Sequence, residues 1–352
     1  MLYWYDNELV FENYALQARV SAEPMVCAIL HLCGQWRTRH EINSLLGDYE
    51  RASVRGTLEQ LHENGMLDRS DRRDRRALAM EAWAGWNPAA GFLHFSTKDT
   101  EFARNPKEAF EELKRRAKHH AMPLPVKRYA TTKHTVLPRV ALGGEFVGVL
   151  KNRRTWRKFG PAAVSLETLA QTLELTFGIQ GWVNVPGVGR AAMKTSPSGG
   201  ALHPMEAYVV GRRVEGLRSG IYHYDSEQRQ LDWIRRGVAK KPLQKSLGHQ
   251  WWFANAAFLV VMTAVVARIQ WKYDDPRAYR VLLAEAGHLG QTFCLTATWL
   301  GLAPFCTMAM ADTQWEEWLG IDGVRETVLY VVGAGTRPSP EGMKNAHIGR
   351  IG

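Results

Sequence analysis

The run Phe258 to Ala267, made of apolar and small side chains, limits the fold of this chain more than any other stretch. It is too short for a membrane span, which needs ~20 apolar residues. It lacks the polar alternation of a half-exposed strand, so it predicts a strand covered on both faces. Beyond it stand Trp271, Lys272, Tyr273, Asp274, Asp275 and Pro276, and then a helical run from Arg277 to Leu300 closed by Gly301. The cluster therefore lies at a strand-to-helix passage, where a rigid scaffold can present side chains to a ligand.

The flanking segments predict an α+β domain with a central, mainly antiparallel sheet flanked by helices. A short helix spans Val147 to Asn152, and a longer one runs to Phe177 with Ser165 as its N-cap and Gly178 after its end. Ala207 to Val210 reads as a strand, and Gly220–Tyr224 with Gln230–Ile234 as a hairpin. Thr313 to Leu319 is a short helix, and Thr327 to Val332 the last strand. The domain is expected over residues 146–352, after a Pro-rich, charged linker over 122–145.

Residues 1–121 form a separate N-terminal module. Strands are plausible in 1–20. Helices follow from Ala22, from the Thr38–Glu41 capping box and from Glu50 to Asn64, with Gly65 as a stop. A charged turn over Arg69 to Arg76 then completes a winged-helix-like pattern. Residues 83–97 read as strand and loop, and Glu101 to His120 as an exposed connecting helix.

The net charge of +10 is uneven. Residues 1–130 carry 19 Lys+Arg against 18 Asp+Glu, and residues 131–352 carry 26 against 17. The positive excess suits a phosphorylated cofactor and an acidic peptide. The arginines of the wing (Arg69, Arg72, Arg73, Arg75, Arg76) alternate with Asp68, Asp71 and Asp74, which disfavours phosphate tracking on DNA. The module reads as a purely structural element or, less favoured, a DNA-binding one. Acidic residues in the first twenty positions and the absence of a membrane span predict a cytoplasmic protein. The four cysteines, Cys27, Cys33, Cys294 and Cys306, show no metal spacing and are expected to be reduced.

Lys272 beside Tyr273 is a candidate proton-transfer pair, because an adjacent ammonium favours the phenolate. Arg153, Thr155 and Arg157 share one face if extended, as a phosphate or ring-oxygen site requires. The Ser196-Pro197-Ser198-Gly199-Gly200 turn allows close backbone approach to a ligand. Glu285, His288 and Gln291 share one face of the long helix. No second ligand set completes a metal site, and no G-x-G-x-x-G follows a strand.

Together these segments resemble the SagB-type dehydrogenases of the FMN-dependent nitroreductase superfamily, over about residues 145 to 340. Trp271 to Gln291 resembles that group's Lys-Tyr, A-Y-R and E-A-G-H-x-x-Q signature, Arg153 to Phe159 its R-R-S-x-R-x-F, and Thr195 to Pro204 its S-P-S-G-G-x-x-H-P. The resemblance implies a nitroreductase-like FMN-binding fold and a homodimer with flavin sites at the interface. For the N-terminal module it implies a docking site for a peptide or partner protein. It places Arg153, Arg154, Thr155 and Arg157 on FMN, with Ser196, Pro197, Ser198, Gly199, Gly200, Gly301, Leu302 and Arg337. His203 is either a cofactor neighbour or a structural hydrogen-bonder. Arg280, Glu285, His288 and Gln291 are substrate-facing or structural. Lys272 and Tyr273 are the catalytic pair. The implied reaction oxidises azoline rings of a ribosomally made precursor peptide to azoles, alongside a partner cyclodehydratase. Another small or peptidic substrate on the same fold is the alternative. A flavin-free peptide-docking or DNA-binding protein is the alternative of another class.

Overall fold

The computed structural model describes residues 1–71, 80–100, 106–120, 125–126, 135, 137–138 and 140–339. The chain divides into two compact units. The first comprises Met1–Lys98 with the returning segments Val266–Leu282 and Val324–Glu326; the second comprises the remainder.

The first unit opens with an antiparallel meander, β1 (Leu2–Tyr5), β2 (Glu8–Asn13) and β3 (Ala18–Ser21), in the order β1-β2-β3. Asp6 and Asn7 turn the first hairpin, both at positive φ (47° and 64°), which short polar side chains tolerate best. Three helices follow: α1 (Pro24–Leu32), α2 (Arg39–Leu45) and α3 (Arg51–Glu63). Pro24 starts α1, and the Thr38–Glu41 capping box closes the first turn of α2 as its sequence requires. Their shared core is Ile29, Ile42, Leu46, Val54, Leu58 and Leu61. The strands therefore precede the helices, and the wing expected over 69–76 lies mostly outside the described residues.

Residues 83–97 differ from the strand and loop expected. They form a 3₁₀ turn, Glu81–Trp86, and helix α4 (Ala89–Ser96), which bury Trp83, Trp86, His94 and Phe95. Closely spaced aromatics read as strand-like in isolation, whereas packing against one another and Tyr279 selects the helical turn here.

The second unit begins its described helices with α5 (Pro106–His119) and α6 (Glu145–Asn152), followed by α7 (Leu166–Phe177). Ser165 caps α7 by accepting the Thr168 N–H at 3.1 Å. A two-stranded hairpin comes next, β4 (Gly181–Val185) with β5 (Gly189–Met193), which sequence reading did not separate from its loop. Then come β6 (Met205–Gly211), β7 (Gly220–Asp225), β8 (Gln230–Arg236), α8 (Lys240–Ser246) and β9 (Phe258–Val265). After α9 (Val266–Gln270) and the long α10 (Tyr279–Trp299), the chain ends its described elements with β10 (Leu302–Thr307), α11 (Asp312–Leu319) and β11 (Glu326–Thr336).

The main sheet has the order β10-β11-β9-β6-β7-β8, and every pairing with a described register is antiparallel. β9 is fully buried through seven of its eight residues, so the all-apolar run is an interior strand. It stops two residues early: Val266 and Ala267 begin α9 instead. Phe253, Phe305, Trp315 and Trp318 pack with strand residues Tyr208, Leu259 and Val331 beneath the sheet. At roughly 25 cal/mol per Å² of apolar surface, burying each of these large side chains is worth about 2 kcal/mol or more.

Candidate functional site

In the second unit, α10 holds the loop of the Thr195–Pro204 motif through Glu285, His288 and Thr292. Ser198 donates its hydroxyl to the Glu285 carboxylate at 2.7 Å. Ser196 and Thr292 hydroxyls lie 2.6 Å apart, and Thr292 gives its proton to the His288 carbonyl, so Ser196 is the donor. The His288 ring nitrogen Nδ1 stands 3.4 Å from the Pro197 carbonyl. One face of the helix, at residues 285, 288 and 292, thus pins the Ser196–Gly200 loop along its length. Gly200 adopts φ +66°, which a side chain would resist, so the glycine is what lets the loop turn.

Glu285 is buried, and burial pushes its carboxyl above the usual carboxylate range. The Ser198 hydroxyl, the Gly199 N–H and the charges of Lys194 and His288 pull it back. The role of Glu285 here is to anchor the loop. Gln291 and Arg280 are exposed. Gly290 is required for packing, since a Cβ there would come within 2.5 Å of the Tyr330 ring.

His203 holds the same loop from its other end. Its N–H donates to Ser198 Oγ at 2.9 Å, and its Nε2 lies 2.9 Å from the Ala192 carbonyl. Because a carbonyl only accepts, Nε2 carries the proton. Of the two roles open for His203, this geometry provides the structural one.

Arg153 to Phe159 leaves α6 as an extended segment, and Trp156 donates its N–H to the Pro304 carbonyl of β10 at 2.9 Å. Arg153 and Thr155 are half-buried, and Arg157 is exposed. Among the described residues no carboxylate pairs with Arg153 or Arg157. Arg154 is spent differently, donating from Nη1 to the Lys151 and Arg153 carbonyls at 2.7 Å each. Arg337 donates to the Leu302 and Thr298 carbonyls at 3.2 Å each and lies over the Trp156 ring. Gly301, at φ +74°, makes the turn into β10, and Leu302 is buried.

A thiol cluster that sequence reading did not find lies beside this segment. The neighbouring Cys294 and Tyr330, together with the charge of Arg153, hold the Cys306 thiol below its usual range. Cys294 and Tyr330 are correspondingly pushed up. The cluster forms because Cys306 pairs with Val332 across β10 and β11, two residues from Tyr330, with Cys294 on the overlying helix. No spacing rule in the sequence announces it.

The Lys-Tyr part of the Trp271–Gln291 motif belongs to the first unit. Between α9 and α10 the chain turns over Trp271–Asp275, with the Trp271 and Tyr273 N–H groups still bonded to the Ala267 and Ile269 carbonyls, and Asp275 is extended before Pro276. Asp275 caps the following turn by accepting the Arg277 N–H at 2.8 Å. Lys272 is exposed, Tyr273 half-buried, and the Lys272 ammonium sits 5.5 Å from the centre of the Tyr273 ring. Trp86 donates its indole N–H to the Tyr273 carbonyl at 3.1 Å. Tyr279 bonds His94 Nδ1 at 2.9 Å.

An antiparallel six-stranded sheet, flanking helices and a helix-pinned Gly/Ser loop make this a nitroreductase-like α+β protein. The Nitroreductase family model matches residues 150–336, and the chain belongs to that family. It is 25% identical to the trifolitoxin-processing protein TfxB of Rhizobium leguminosarum bv. trifolii over 81% of this chain and 80% of that protein. It is 30% identical to MJ1384 of Methanocaldococcus jannaschii, named as a nitroreductase, over 49% of this chain and 83% of that one. A chain of the E. coli microcin synthetase McbBCD complex, solved with truncated pro-MccB17 bound, is 20% identical, with a TM-score of 0.46 over 75% of this chain and 94% of that chain. Among the described residues no helix is long and apolar enough to cross a membrane.

Proposed function

We propose that the protein is an FMN-dependent dehydrogenase of ribosomal-peptide maturation, oxidising azoline rings of a precursor peptide to azoles. The observation that carries the flavin reading is the pair Arg153 and Arg157, cations without a carboxylate partner among the described residues, in the same unit as the pinned Ser196–Gly200 loop. This donor set fits a phosphorylated flavin: a half-buried guanidinium for the phosphate, a hydroxyl at Thr155 and glycine backbone free of Cβ atoms. Arg157 is assigned to the ring end, where a positive charge favours the reduced anionic flavin. The peptide reading is supported by likeness to TfxB, a protein named for peptide processing, along most of both chains.

Bound FMN supplies the two-electron acceptor. Tyr273, with Lys272 beside it, takes the proton from the azoline Cα. Glu285, His288 and Thr292 keep the Ser196–Gly200 loop in place. Two copies of the chain complete the sites, with the loop at their interface, and a cyclodehydratase supplies the azoline. The N-terminal module docks the peptide or that partner rather than DNA, in keeping with its near-neutral charge.

Co-expression with a candidate precursor and its cyclodehydratase, followed by mass spectrometry, tests the reading. Loss of two hydrogens per heterocycle is the expected result. Colourless protein that takes up no added FMN excludes it.

A further inference from the structure

We propose that Trp86 is a positioning residue for the Lys272–Tyr273 pair, so that one residue of the N-terminal region belongs to the machinery of the reaction. The inference rests on the assignment of Tyr273 as base.

Tyr273 lies outside both flanking helices, so its carbonyl has no place in a helical ladder and needs another donor. Trp86 Nε1 is that donor, at 3.1 Å, from a fully buried indole. Next to it, Gly85 lets the backbone come so close that a Cβ would stand 3.2 Å from the Asp274 carbonyl. The far end of the stretch is held by the same segment: Tyr279 bonds His94 and stacks edge-on to Trp86 at 6.3 Å. Trp83, packed at 5.6 Å against Trp86, supplies an internal comparison. Its own indole N–H goes to the Val324 carbonyl at 2.9 Å, away from the Lys-Tyr stretch. The two tryptophans are equally buried and equally bonded, but only one of them holds the backbone of the base.

The test uses the full-length, FMN-loaded chain without oxygen, with a thiazoline-4-carboxamide peptide as the probe. The single-turnover rate of flavin bleaching per bound flavin and the half-saturating probe concentration are read across pH. Misplacing a reacting group by ~1 Å costs about 10²-fold. Trp86→Phe, which keeps the ring and removes the N–H, should slow bleaching about tenfold or more at every pH, with half-saturation, apparent pKa and flavin content unchanged. Gly85→Ala should act in the same direction without touching the hydrogen bond. Trp83→Phe should lower the melting temperature but keep the wild-type rate. Wild-type rates in Trp86→Phe, or equal slowing in Trp83→Phe and Trp86→Phe, overturn the inference alone. A wild-type enzyme that never bleaches, or a Tyr273→Phe enzyme as fast as wild type, removes the base assignment and the inference with it.

Discussion

Ser198 and Glu285, 87 positions apart, share a 2.7 Å hydrogen bond that fastens the Gly/Ser loop to the long helix. The carboxylate is buried, so its ionised form is less favourable in the folded chain than in the unfolded one. A raised folded pKa gives stability that is present below the ordinary carboxylate pKa and lost as pH rises through the raised value. Glu285→Gln keeps an acceptor for Ser198 and cannot ionise. Its melting temperature should therefore gain on wild type as pH rises from about 4 to 7, and a constant difference across that range would contradict the account. Glu285→Ala, which leaves Ser198 and Gly199 without their acceptor, should lower FMN retention.

Arg153→Ala and Arg157→Ala should each weaken FMN binding about tenfold or more, since a hydrogen bond to a charged group contributes about 1.5–3 kcal/mol. Arg154→Ala should matter less, because that guanidinium is committed to the Lys151 and Arg153 carbonyls. Titration of apo-protein with FMN, followed by flavin fluorescence, ranks the three.

Tyr273→Phe should slow turnover by about 10²–10⁴-fold, the usual cost of losing a general base, with flavin occupancy unchanged. Lys272→Ala removes the neighbouring charge and should slow turnover with flavin occupancy likewise unchanged. Both variants turning over as wild type across pH would make the pair structural.

His94 is buried between Trp83 and Phe95, and burial drives its pKa down to about 3, with Lys98 adding repulsion. A depressed folded value means the neutral ring supports the fold above the unfolded pKa. That support is lost progressively as pH falls from about 6.5 towards 3. Melting of the chain between these limits should show this slope, and His94→Gln should flatten it. An identical slope in the variant would refute the assignment.

Local rules were enough for several features of this chain. Thr38 and Glu41 cap α2, Ser165 caps α7, and the apolar Phe258 run is the buried β9, because caps and side-chain periodicity act within a few residues. The resemblance of Trp271–Gln291, Arg153–Phe159 and Thr195–Pro204 to one family likewise lies in the order of residues alone. The uses of those residues were decided by contacts between distant positions. Glu285 faces Ser198, Arg337 reaches the end of α10, and the Cys294–Cys306–Tyr330 cluster arises only where β10, β11 and α10 pack. Residues 83–97 read as strand and loop, since four aromatics with Gly and Pro between them favour extended backbone by propensity. Burial of Trp83, Trp86 and Phe95 with Tyr279 outweighs that preference of about 1 kcal/mol, since each large ring gains more from leaving water than its backbone loses by turning.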